Sequence, residues 1–139
     1  MKRCHVIANL AMFAALAAML GCAAEEQAEV RGKVTLDGQP VEEGTISFIP
    51  STGSQNQAAW APIKGGEFVI DGSQGLATGV SRVEIRALRR TGRILPTSMP
   101  GEPEYEMQDY IPQRYNSASQ LKAEIKPGPN QVDFELKSK

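Results

Sequence analysis

Two regimes of side-chain pattern divide this chain. Residues 6–20 are almost wholly apolar, interrupted by Asn9, and Lys2 and Arg3 stand ahead of them. From Val30 onward the period is two. Val30, Gly32, Val34 and Leu36 alternate with Arg31, Lys33 and Thr35, as in a strand with one buried face. Residues 44–50 predict a second strand with Ile46 and Phe48 inward, 59–63 a weaker one around Trp60, and 67–70 a fourth with Phe68 and Ile70 on one side. Over 80–88, Val83, Ile85 and Ala87 share a face opposite Arg82, Glu84 and Arg86. Leu121, Ala123 and Ile125 alternate with charges, as do Val132, Phe134 and Leu136, and this last pair reads as a C-terminal hairpin.

The breaks between these runs carry turn chemistry. Asp37-Gly38 is a tight-turn signal, and Pro40 bars a central strand beside it. Lys64-Gly65-Gly66, Asp71-Gly72-Ser73 and Pro127-Gly128-Pro129-Asn130 turn the chain again. About seven such strands, apolar on one face and polar on the other, predict an all-β fold: an antiparallel, seven-stranded β-sandwich. Two segments stand outside the pattern. Residues 51–57 are polar and loop-like, and residues 89–117 form a long stretch rich in Pro, Gly and Glu, the kind of loop that is often functional or disordered.

With 139 residues the chain has room for one domain, and its 41 % apolar and 22 % charged residues suit an ordinary globular one. A formal net charge of -1 gives no electrostatic case for nucleic acid as a partner.

The apolar N-terminal run changes the picture. Lys2 and Arg3, the run itself and then Gly21-Cys22-Ala23-Ala24 have the layout of a helical secretory signal, and the run falls short of the ~20 residues that span a bilayer. Met19-Leu20-Gly21-Cys22 resembles a lipobox, with methionine in place of the commoner leucine. That resemblance implies cleavage before Cys22 and a diacylglycerol on its thiol, so that residues 1–21 are signal, 22–28 a short tether and 29–138 the domain. The alternative is ordinary cleavage after Ala24, which releases a soluble domain. Either cut removes Lys2, Arg3, Cys4 and His5, the sole histidine. The product then carries no histidine and no cysteine pair for a disulfide.

The β region resembles a known family. Residues 34–41 (VTLDGQPV), 44–50 (GTISFIP), Gly66-Glu67-Phe68, Gly75-Leu76 with Gly79, and Val83-Glu84-Ile85 occur in one order. They resemble the carboxypeptidase regulatory-like domain, a transthyretin-like (prealbumin-like) β-sandwich. Residues 111–116 (IPQRYN), then Ser119, Leu121 and residues 128–136, resemble the C-terminal part of small bacterial lipoproteins carrying that domain. The motifs are turns and strand entries, so the resemblance implies a fold rather than an activity. One departure stands out: the family commonly has Pro-Gly-x-Tyr where this chain has Thr78-Gly79-Val80-Ser81. The histidines and C-terminal Tyr-Arg-Gly-Ser of the similar hydroxyisourate hydrolases are absent, which argues against that activity.

Candidate chemistry is sparse. No metal or other cofactor is expected: zinc wants His and Cys, and Glu102, Glu104, Glu106 and Asp109 lack the spacing of a calcium loop and read as a solvated acidic stretch. A histidine-based triad is impossible in the processed chain, and a carboxylate-only hydrolase is a minor alternative. Trp60, Tyr105, Tyr110 and Tyr115 are the ligand-binding candidates, as platforms for a sugar or peptide. The bland alternative has Trp60 filling the core and Tyr115 packing the long segment down. Arg89, Arg90 and Arg93 form a basic cluster suited to an anionic polymer or lipid head group, or simply to a solvated loop. The reading is a non-catalytic binding or structural module, lipid-anchored through Cys22 to the bacterial cell envelope. Its expected partners are the membrane and an envelope protein or polysaccharide. The runner-up is a carbohydrate-binding module using Trp60 and the tyrosines.

Overall fold

Eleven strands account for the regular structure in the computed structural model, which describes residues 27–51, 58–96, 101 and 103–139. The signal, Cys22 and Glu102 lie outside the described residues. The strands are β1 (Glu29–Leu36), β2 (Gln39–Pro40), β3 (Glu43–Pro50), β4 (Ala59–Lys64), β5 (Glu67–Ile70), β6 (Gly79–Arg86), β7 (Leu88–Leu95), β8 (Glu104–Asp109), β9 (Lys122–Ile125), β10 (Pro129–Gln131) and β11 (Phe134–Leu136). Short 3₁₀ turns at Gly72–Gln74 and Gln113–Tyr115 are the only helical elements among the described residues. The fold is therefore all-β and mostly antiparallel.

One sheet runs in the order β10-β1-β5-β4-β3-β6-β9, with β2 and β11 also on β1. It curls so that the inward positions of β1, β3, β4, β5, β6, β9 and β11 meet in one core. Phe48, Phe68 and Phe134 sit at its centre, with ring centroids 6.0–6.3 Å apart. Burying each such side chain contributes roughly 1.5–3 kcal/mol. The second sheet is the pair β7-β8.

The turn at Asp37-Gly38 is tight as predicted: both residues have positive φ, 51° and 83°. Pro40 sits on a two-residue strand at the edge, where its missing N–H costs nothing. Gly32 lies where β1 passes the chain of Val132, and an added Cβ would overlap the Val132 carbonyl oxygen.

Two expectations are corrected. The last two strands make no hairpin. β9 pairs antiparallel with β6, whereas β10 and β11 run parallel to β1. The turn between them is tied off sideways: Asn130 Oδ1 accepts from the Lys126 N–H at 2.9 Å, and its Nδ2 donates to the carbonyls of Lys126, Gly128 and Glu29 at 2.8–3.1 Å. Pro129 offers no N–H for a returning ladder. Asn130 thus sends the chain across to β1.

The long segment 89–117 is not a single loop. It holds most of β7, all of β8, and the Gln113–Tyr115 turn. β7 and β8 pair from Leu88↔Asp109 to Leu95↔Glu104, with a bulge between Arg90 and Ile94, where Gly92 has φ 85°.

Candidate functional site

Strand β4 sets the site. Ala59, Ala61 and Ile63 are buried, so period two turns Trp60, Pro62 and Lys64 outward. Trp60 is 60 % exposed. Across β3, Ser47 stands opposite Trp60 and Thr45 opposite Pro62. On the far side of β3, Glu84 faces Ser47 and Arg86 faces Thr45. Two rows, Trp60–Ser47–Glu84 and Pro62–Thr45–Arg86, thus cross three adjacent strands. Glu84 lies 2.7 Å from Arg82 and 3.9 Å from Arg86, so one carboxylate is shared by two guanidinium groups and the face is net positive.

This face runs into a cleft of about 860 Å³ where β4 ends and β3 begins. It is lined by Glu43, Pro62 and Lys64 from β3 and β4, by Leu88 and Arg89 from β7, and by Tyr110 just after β8. Pro62 belongs to both surfaces, and Trp60 is one strand period away, about 7 Å.

Tyr110 is held at the joint between the two sheets. Its N–H donates to the Ala87 carbonyl at 3.0 Å, and its ring packs on the core with the Arg89 guanidinium 5.6 Å from the centroid. Burial pushes its phenol above the ordinary value, and Arg89 pulls the other way. Asp109 braces the joint. Its Oδ1 accepts from the N–H groups of Ala87 (3.3 Å) and Ile111 (3.0 Å), and its Oδ2 accepts from Asn116 Nδ2 at 3.2 Å.

The four aromatic candidates separate. Trp60 and Tyr110 lie on one continuous surface. Tyr105, on β8, does not line the cleft; Arg90 sits over its ring at 4.8 Å. Tyr115 packs against the core, and its hydroxyl accepts from the Lys137 N–H at 3.2 Å, so it fastens the C-terminal chain. Arg114 lies 5.0 Å from that ring and donates to the Lys137 carbonyl. Its hydrogen bond to Tyr115 comes first, and then the Lys137 backbone, in holding the phenol below its ordinary value. Packing is the right reading for Tyr115. A core-filling Trp60 is overturned, because Ile63 and the two alanines take the inward positions.

Arg89, Arg90 and Arg93 sit on strand β7 rather than on a loop. Glu106 accepts from the Thr91 hydroxyl at 2.8 Å and lies 3.6 Å from Arg93. Among the described residues, no three His, Cys, Asp or Glu side chains converge on a point that would hold a metal ion. Glu43 and Lys64 were not singled out by the sequence, although alternation from Ile63 places Lys64 on the Trp60 face.

No family model matches the chain, and no curated protein matches it. Among solved structures it is similar to a 9R-lipoxygenase from Cyanothece PCC8801, at a TM-score of 0.31 and 12 % identity. The match covers 81 % of this chain and 16 % of that one, so the chain spans a small part of that protein's length. A likeness this distant bears on neither the fold nor the chemistry.

Proposed function

We propose that this chain is a non-catalytic binding module of the bacterial cell envelope, anchored by lipid at Cys22. The observation that carries the binding role is the exposed Trp60 on a polar sheet face that leads into the Tyr110 cleft. An indole held open to solvent by its strand neighbours forgoes roughly 2 kcal/mol or more of burial. A ligand that covers the ring recovers it. The anchoring rests on residues 2–24 and their resemblance to a lipoprotein signal. A prealbumin-like sandwich of seven main strands is the fold reading that accompanies it, supported by the single core between the inward faces and by the family motifs.

The same surface favours a carbohydrate as the ligand, the second reading. An aromatic platform beside Ser47, Thr45 and the Arg82–Glu84–Arg86 group offers stacking and hydrogen bonds together.

Trp60 is the only tryptophan, so its fluorescence reports directly on this surface. Titration with a glycan panel and with fractionated envelope material is expected to shift its emission, and Trp60→Ala is expected to lose binding. A flat response throughout removes the binding role. Separately, Cys22→Ser is expected to move the full chain from membrane to soluble fractions and to end palmitate labelling. Unchanged partitioning removes the anchor.

A further inference from the structure

The β7–β8 sheet is incomplete in a way the curled sheet is not. The curled sheet ends in short strands: β9 has four residues, and β10 and β11 three each, with Lys122 and Glu124 on β9. Short, charged edges discourage further pairing. By contrast, β7 is eight residues long, exposed over seven of them, and pairs only with β8 among the described residues. Leu88 and Ile94 on it are 55 % and 59 % exposed. A lone two-stranded hairpin is marginal in water, and a third strand is what such a sheet needs.

The charge says which strand fits. Residues 79–95 carry Arg82, Arg86, Arg89, Arg90 and Arg93 against Glu84 alone, in a chain whose formal net charge is -1. Arg89 and Arg90 lie over the rings of Tyr110 and Tyr105 and have no carboxylate partner among the described ion pairs. The bulge at Gly92 leaves Leu88–Arg90 in regular register with Met107–Asp109, so the usable edge coincides with those two arginines. A second copy adding its own β7 would set arginine against arginine, which destabilises a ladder.

We propose that the free edge of β7 accepts an extended, acidic segment of a partner protein as a third strand. Main-chain hydrogen bonds supply the affinity, and Arg89 and Arg90 select carboxylates on the incoming strand. The edge adjoins the cleft of the Trp60 surface, since Leu88 and Arg89 line that cleft, but strand addition is distinguished from ligand stacking by main-chain protection along 88–95 that Trp60→Ala leaves intact.

The test uses the full chain in detergent with an acetylated, amidated heptapeptide that carries a central Glu-Glu pair between Val and Thr residues, so that carboxylates lie on both faces of the added strand as Arg89 and Arg90 do. Amide exchange read by mass spectrometry is expected to slow across 88–95 on peptide addition, and affinity to fall with added salt. The double variant Arg89→Glu/Arg90→Glu is expected to weaken binding by roughly tenfold or more. Arg89→Gln/Arg90→Gln should fall between, and unchanged exchange in β3 and β6 checks that both variants keep the curled sheet. The proposal is overturned by unaltered exchange at 88–95 or by equal binding of the same peptide with Lys in place of Glu. Equal protection by inorganic polyphosphate, which cannot form a strand, overturns it too. So does peptide-independent protection that grows with protein concentration, the mark of a second copy on this edge.

Discussion

A single hydroxyl shows how tightly the β6 side of the core is packed. Ser81 is 1 % exposed, and its Oγ has no hydrogen-bond partner. It stands opposite Pro50 on β3 and Ala123 on β9. A buried hydroxyl without a partner costs about 1–3 kcal/mol. Ser81→Ala is therefore expected to stabilise the protein by about 1 kcal/mol, read as a higher urea midpoint at unchanged slope. A lower midpoint would mean the hydroxyl has a partner after all. At this scale the sequence was legible where parity was followed and illegible where hydrophobicity was followed instead. Alternation from Ala59, Ala61 and Ile63 places Trp60 outside, while the size of its ring argued for the core. Parity won because the strand cannot bury both faces.

Among the elements, most of the strands of the curled sheet were readable, because half-buried antiparallel strands alternate cleanly. Their partners were not. Nothing in residues 121–136 distinguishes a hairpin from two strands that part at Pro127-Gly128-Pro129-Asn130; the decision lies in the Asn130 side chain reaching Glu29, a contact across the whole chain. Strands β7 and β8 were hidden for another reason. They bury no face, so they show no alternation, and the Pro, Gly and Glu around them read as loop. β11 has only three residues, yet Phe134 and Leu136 are both buried and Phe134 touches the rings of Phe48 and Phe68. Phe134→Ala is expected to cost about 3–4 kcal/mol of unfolding free energy. A loss below about 1 kcal/mol in denaturant titration would show that this strand does not close the core.

Across the whole molecule, the fold class was legible and the surfaces were not, since a core leaves a pattern and a cleft between distant strands does not. Acid stability is a property of the same scale. Hydrogen bonds from Ser138 hold the Asp37 carboxyl below its ordinary value, and those from Ser73 do the same for Asp71 at the start of its 3₁₀ turn. A folded value below the unfolded one adds stability at neutral pH and loses it as pH falls through the folded value. The melting temperature is thus expected to hold steady down to about pH 5 and to decline below it, with a shallower decline in Asp37→Asn/Asp71→Asn. An equal decline in that variant would place the acid sensitivity elsewhere. The parallel seam between the first strand and the last has its own outcome in time. A chain made from its N-terminus leaves one flank of β1 without a ladder until residues 129–136 have emerged, so the barrier to folding is crossed late and slowly. Until then the polypeptide stays pliable, the condition in which it can still be threaded through a narrow passage.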